Sequence, residues 1–232
     1  MLDIVAAIEG FFAKPGPLTG KKALVTSGPT YEPIDPVRFI GNRSSGKMGN
    51  ALAAAAIRRG AKVTLVTAGP APPAQPGLKV VPVETAGEMH AAVRDALIGA
   101  RVLIMAAAVA DWRPRDVAAN KLKKGADTLT IELVPTVDIL RALRDDDVAR
   151  DVFVVGFAAE TEHVIDYARA KLDAKGLDLI VVNDVSREDI GMGADDNEVT
   201  VIGRDGTQQT IARAPKADVA DAIVRIIADR LR

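Results

Sequence analysis

Residues 26–49, TSGPTYEPIDPVRFIGNRSSGKMG, bring together the densest set of anion-holding groups in the chain. A strand-like run ending at Thr26 empties into Gly, Pro, Asn and Ser, and a helix-forming stretch begins near Met48. Backbone amides bared by glycines beside a helix N-terminus are a ready phosphate site. Asn42, Arg38, Arg43 and Lys47 add an amide and three cations able to grip an anion. The chemistry implied is chemistry on something phosphorylated.

Two standard phosphate motifs come close and fail on detail. Gly41 to Lys47 reads as G-x4-G-K, but Met48 stands where a Ser or Thr hydroxyl would hold Mg2+, and the first glycine lies well past the strand instead of directly after it. Gly41, Gly46 and Gly49 cluster before a helix as in a dinucleotide fingerprint. Their spacing is not G-x-G-x-x-G, and the strand KVTLVTAG (62–69) ends without the acid that would bind a ribose hydroxyl. A Gly/Ser-rich surface loop without a ligand is the third reading.

The elements that must position this segment alternate as in a doubly wound sheet. ALVTS (23–27) reads as a strand, MGNALAAAAIRRG (48–60) as a helix closed by Gly60, and KVTLVTAG as the next strand. LKVVPV (78–83), a helix over 86–99 and a buried strand with a polar end over 100–112 follow. A strand over 128–135, a helix over 136–147 with Thr136 or Asp138 near its cap, a strand over 151–161, a helix over 163–176 and a strand over 177–184 continue the pattern. A glycine-rich acidic loop (186–197) leads to a hairpin turning at Asp205-Gly206, and a helix closes the chain. Apolar runs such as VFVVGF and LDLIVV suit parallel strands covered on both faces. The expected fold is a Rossmann-like α/β domain: a mainly parallel sheet, helices on both faces, and a C-terminal hairpin. Ligands in such sheets sit beyond the carboxyl ends of the strands, where Ser27 to Thr30, Asp111, Glu160-Thr161 and Asn183-Asp184 fall.

Composition narrows the class. The 232 residues carry 30 basic and 31 acidic side chains and 48% apolar residues, enough for a full core and without the charge bias of a nucleic-acid or membrane surface. With no cysteine, disulfides, thiolate nucleophiles and Cys-based metal sites are excluded; two histidines, His90 and His163, argue against a multi-His site. No apolar run reaches the length of a membrane span, and the chain reads as soluble and cytoplasmic. Residues 1–17 read as a linker or packing helix, broken by Lys14-Pro15-Gly16-Pro17, ahead of one domain over 18–232.

Taken whole, SGPTYEPIDPVRFIGNRSSGKMG closely resembles the first signature of phosphopantothenoylcysteine synthetases, the second half of many bacterial bifunctional coenzyme A biosynthesis proteins. AAAVADWRP (106–114), NKLKK (120–124), GFAAET (156–161) and KLDAKGLDLIVVND (171–184) match the same family in the same order. The resemblance implies a ligase that joins 4′-phosphopantothenate to L-cysteine, with CTP as co-substrate and Mg2+ present. The carboxylate attacks the α-phosphate, pyrophosphate leaves, and the cysteine amine displaces CMP from the acyl-cytidylate. It also implies a homodimer, with a partner loop shaping the pantothenate site, and a fusion to, or excision from, a flavin-dependent decarboxylase.

Residue roles follow from the same resemblance. Asn42 would contact the acyl-cytidylate, an amide being able to donate without repelling an attacking carboxylate. Lys121 would neutralise charge on the α-phosphate from a closing flap, although a KLKK run by itself reads as a solvated loop. Gly28, Ser45, Gly46, Ala106 and Ala107 would lie against the nucleotide. Asp111 would hold Mg2+ or a hydroxyl, against a plain reading as a cap or a partner of Arg113 or Arg115. Val137, Asp138, Ile139 and Leu140 would offer backbone amides at a helix start. Phe157 would line the base pocket, and Lys171 and Lys175, four apart on one helical face, would contact the nucleotide. Arg38 and Arg43 are candidates for the substrate phosphate, and the 198–212 hairpin for an edge between subunits. Competing classes are a Rossmann-type NAD(P) oxidoreductase and a nucleotide-binding module without catalysis.

Overall fold

In the computed structural model, which describes residues 16–125, 128–184, 186 and 193–232, an eight-stranded sheet runs through the centre of the molecule. The expected linker or packing helix, apart from residues 16 and 17, and half of the acidic loop (187–192) lie outside the described residues. Strands β1 (Lys22–Ser27), β4 (Lys62–Thr67), β5 (Leu78–Pro82), β6 (Val102–Met105), β9 (Phe153–Glu160) and β10 (Leu179–Asp184) pair in parallel. Two antiparallel strands, β11 (Asp196–Gly203) and β12 (Gln208–Pro215), extend one edge. The order β5-β4-β1-β6-β9-β10 is that of the dinucleotide-binding doubly wound sheet. From β1 the chain winds outward to β5, then crosses back to β6 on the other side of β1. A crevice is thereby opened between the carboxyl ends of β1 and β6.

Helices cover both faces. Helices α1 (Lys47–Arg58) and α5 (Lys216–Arg230) pack on one side over Val25, Leu52, Leu65, Val181 and Ile223, all at most 1% exposed. Helices α2 (Ala86–Ala96), α3 (Ile139–Asp145) and α4 (Val164–Ala174) cover the other, over Met89, Leu103, Leu143 and Ile180. Three of the boundaries have a clear local cause. Thr85 caps α2 by accepting the Glu88 N–H at 3.2 Å, Asp138 caps α3 through the Arg141 N–H at 3.2 Å, and Gly60, at φ 90°, ends α1.

Two expected strands are shorter than their apolar runs. The one expected over 100–112 leaves the sheet after Met105, because the next amides are taken by β1 and its continuation. Ala107 N–H bonds Thr26 Oγ1 at 3.1 Å, Ala108 N–H bonds Gly28 O at 2.9 Å, and Ala110 N–H bonds Thr30 Oγ1 at 2.9 Å. The run over 128–135 pairs only as β8 (Leu133–Pro135), antiparallel to β7 (Trp112–Pro114) in a hairpin outside the main sheet. The proline-rich stretch after Thr30, expected as loop, contains a second small hairpin, β2 (Tyr31–Pro33) with β3 (Phe39–Gly41).

Ion pairs from Arg58 and Arg59 to Asp221 tie the end of α1 to α5. Asp221 on α5 takes both arms of Arg59, with Arg59 Nη2 to Oδ2 at 2.7 Å. The Arg59 hydrogen bond, against the opposing effect of burial, holds the Asp221 carboxyl down at about 2. A carboxyl depressed in the folded state stabilises it above its unfolded pKa of about 4 and loses that contribution as pH falls through the folded value. We expect Asp221→Asn to flatten the fall of the urea midpoint between about pH 4 and pH 2 relative to wild type. Parallel curves for the two proteins would show that the pair contributes nothing to acid stability.

Candidate active site

A cleft of about 380 Å3 opens at the crevice between β1 and β6, large enough for a nucleotide-sized ligand. Its floor is the start of α1. Gly46 is in the left-handed conformation at φ 73°, and its carbonyl accepts the Ser27 hydroxyl at 2.9 Å. At Gly49 a Cβ would stand 2.6 Å from Ser27 Cβ and 2.8 Å from Thr26 O, so only glycine lets the helix start this close to β1. Ser45, Gly46, Lys47 and Gly49 all line the cleft.

The opposite walls come from the ends of β6 and β9, the start of α3 and the last turn of α4. Ala106, Ala107 and Asp111 line one side. Val137, Asp138, Ile139 and Leu140 reach the cleft from the start of α3, and Phe157 from β9. Thr136 joins two of these pieces, its N–H to Asp111 O at 2.9 Å and its hydroxyl to Ala110 O at 2.5 Å. Lys171 and Lys175 face the cleft from α4, each steadied by an acid: Lys171 by Glu160 at 2.5 Å and Lys175 by Asp138 at 3.5 Å.

Asp111 is exposed to the cleft, and its carboxylate has no hydrogen-bond or ion-pair partner among the described residues. The alternative partners are otherwise engaged: Arg115 pairs with Glu132 at 2.6 Å, and Arg113 donates to Pro114 O at 3.2 Å. No group of three or more His, Asp or Glu able to hold a metal occurs among the described residues.

Asn42 also lines the cleft, but its donor is occupied. Nδ2 bonds the carbonyls of Ala108 at 3.2 Å and Val109 at 3.1 Å, and the remaining polar atom, Oδ1, can only accept. In this arrangement Asn42 ties the Gly-rich loop to the end of β6; donation to a substrate oxygen requires the amide to leave those carbonyls. Four other sequence candidates do not line the cleft. Gly28, at φ 78°, sits beneath it, where a Cβ would meet Gly69 N at 2.5 Å. Arg38 bonds Asp35 and Leu122 O, Arg43 is exposed, and Lys121 is exposed on the segment 116–125.

One cation of a second wall escaped the sequence reading. Lys216, the first residue of α5, is only 9% exposed and lines the cleft beside Lys47 and Asn197. Its ammonium bonds Ala194 O, and burial, then the neighbouring Lys47, push its pKa down. Lys47 in turn bonds Asp195 at 2.6 Å and holds that carboxyl low. The missed signal was a lysine at a helix N-terminus, the end where the helix dipole disfavours a cation.

Fold and cleft together define a doubly wound α/β domain with a lysine-lined, nucleotide-sized cleft at its switch point. The family described as DNA/pantothenate metabolism flavoprotein C-terminal domain matches residues 18–231, and the chain belongs to it. It is 45% identical over 230 residues to a coenzyme A biosynthesis bifunctional protein CoaBC of Bacillus subtilis, covering 97% of this chain and 56% of that protein. The chain thus spans a little over half the length of this relative. A crystal structure of the C-terminal domain of a CoaBC protein superposes with a TM-score of 0.77 at 40% identity, covering 93% of this chain and 98% of that one. A Cab2 variant in complex with phosphopantothenate-cysteine shares the fold, with a TM-score of 0.74 at 17% identity over 99% of this chain and 90% of that one.

Proposed function

We propose that this domain joins 4′-phosphopantothenate to L-cysteine in coenzyme A biosynthesis, using CTP through an acyl-cytidylate. The observation that carries this reading is the convergence on one cleft of residues from four separated motifs: Asn42 and Gly46, Ala106 to Asp111, Phe157, and Lys171 with Lys175. Family membership and the names of the relatives support the same chemistry. The end of β4, Thr67-Ala68-Gly69, offers no carboxylate for a ribose hydroxyl and so gives an NAD(P) reading no support.

In the first step a carboxylate oxygen of phosphopantothenate bonds to the α-phosphorus of CTP, and the bond to the β-phosphate oxygen breaks. Pyrophosphate leaves, carrying its charge with it. In the second step the neutral amine of cysteine attacks the acyl carbon, the acyl–phosphate bond breaks, and CMP leaves as the amine loses a proton. Both steps require placement and charge stabilisation more than acid–base chemistry. Lys171 and Lys175 would hold nucleotide phosphates, the start of α1 would hold an anion on its free amides, and Phe157 would lie against the base. Asp111, a carboxylate without a protein partner among the described residues, would hold a magnesium ion that arrives on the nucleotide. That ion would neutralise phosphate charge as the α-phosphorus is attacked.

The assembly proposed is a homodimer. Val37 and Phe39 on the β2–β3 hairpin, and Trp112 and Val117 at the neighbouring β7–β8 hairpin, are each more than half exposed, at 59%, 55%, 52% and 52%. An apolar group of this kind suits burial against a second copy. The outer edge strand β12, by contrast, exposes mainly Gln208, Gln209, Thr210 and Arg213.

The reading is tested by incubating the protein with 4′-phosphopantothenate, CTP and Mg2+ without cysteine and measuring pyrophosphate and trapped acyl-cytidylate. Folded protein that forms pyrophosphate with neither CTP nor ATP would end it. Asn42→Asp should suppress the intermediate, since a carboxylate there repels both the substrate anions and the Ala108 and Val109 carbonyls; wild-type rates would remove Asn42 from the site. Lys121→Gln should slow turnover about 100-fold, the scale of losing one electrostatic stabiliser; a change confined to nucleotide affinity would make Lys121 a binding residue only. Phe39→Asp should shift sedimentation from dimer to monomer, and a wild-type monomer at micromolar concentration would refute the dimer.

A further inference from the structure

The segment 116–125 carries Lys121, has no regular secondary structure, and is held at two points, both on the tip of the β2–β3 hairpin. Ala118 N–H bonds Ile34 O at 3.0 Å. Leu122, next to Lys121, is gripped from both sides: its N–H bonds Asp35 Oδ2 at 3.0 Å, and its carbonyl accepts Arg38 Nη2 at 2.6 Å.

Asp35 is the hub of this arrangement. It is 2% exposed, and its two oxygens do different work. Oδ1 accepts the N–H groups of Val37 at 2.8 Å and Arg38 at 2.9 Å, which closes the hairpin turn. Oδ2 accepts Leu122 N–H together with Arg38 Nε at 3.1 Å and Nη2 at 2.5 Å. Burial alone would raise the carboxyl's pKa. Hydrogen bonds from Leu122, Arg38 and Val37 outweigh it and hold the group ionised, well below the usual carboxylate range. The hairpin so braced runs from β3 directly into Asn42, and the β7–β8 hairpin carrying Lys121 springs from Asp111 and returns at Thr136, both on the cleft wall.

We infer that Asp35 is a positioning residue for Lys121, seating the 116–125 segment on the hairpin that leads into Asn42 so that both are held on one scaffold. The inference rests on the synthetase reading for Lys121's part in the reaction. It also recasts Arg38, whose guanidinium is spent on Asp35 and Leu122, as a brace of the same joint instead of a free phosphate ligand.

The two oxygens make the test selective. Asp35→Asn keeps an acceptor for the Val37 and Arg38 amides but places an NH2 group where Leu122 and Arg38 need an acceptor, so the turn survives and the joint is lost. Three results are expected. Trypsin should cut faster after Lys121, Lys123 and Lys124, read by mass spectrometry, with the thermal midpoint little changed. Pyrophosphate release should fall about 10- to 100-fold in kcat, the cost of misplacing a catalytic group, with a smaller change in KM for CTP. The Asp35→Asn, Lys121→Gln double variant should be no slower than Lys121→Gln alone, since Asp35 acts through Lys121. Wild-type cleavage and turnover in the folded variant, or fully additive losses in the double variant, would overturn the inference. If Asp35→Asn does not fold, Leu122→Pro deletes the donating N–H from the surface side and leaves Asp35 and its turn intact; its turnover is judged by the same criteria and its trypsin cleavage after Lys123 and Lys124 alone, because a Lys-Pro bond resists trypsin. Should the wild-type protein itself release no pyrophosphate, the synthetase reading fails, while the proteolysis still decides whether Asp35 holds the segment.

Discussion

The clasp between the continuations of β1 and β6 governs everything at the ligand end of this domain. Parallel strands on either side of a switch point diverge in their connections, and nothing in a sheet ladder joins their ends. Here Thr26, Gly28 and Thr30 supply acceptors to Ala107, Ala108 and Ala110, so the two chain segments remain bonded beyond the end of the β1–β6 ladder. Thr26 and Thr30 are fully buried, which makes those bonds expensive to lose. The start of α1 rests on the first segment, through Ser27 and Gly49, and Asn42 and Thr136 are tied to the second. Cleft floor and cleft wall are therefore one hydrogen-bonded unit.

The sheet was legible because its strands are fully covered. Val102–Met105 and Leu179–Val182 are buried at every position, and such strands announce themselves as unbroken apolar runs. The same logic misleads at Ala106–Ala110. Those residues are apolar because they must be small against a ligand space and a clasp, not because they continue the ladder. The β7–β8 and β2–β3 hairpins were hidden for the opposite reason: each pairs only three residues, and Pro33, Pro114 and Pro135 stand within them.

Much of the cleft could be read from motifs, since Ala107, Asp111, Phe157 and Lys171 lie at the ends of elements whose direction the pattern fixes. Contacts between distant loops could not. Lys216 looked like the polar start of an amphipathic helix, and Arg38 like a free anion ligand. Their partners, Ala194 O for one and Asp35 with Leu122 O for the other, depend on how loops fold back, which no local spacing records.

The ion pairs around the cleft bear on what can displace them. Lys171, Lys175 and Lys47 each already face a carboxylate, in Glu160, Asp138 and Asp195. A solitary chloride or acetate would exchange one counter-charge for another and gain little. A chain of linked phosphates replaces several carboxylates in a single encounter, after the first contact has brought the rest within reach. A cleft so paired would select for valence before shape, and a strongly cationic appearance is not needed for such a preference.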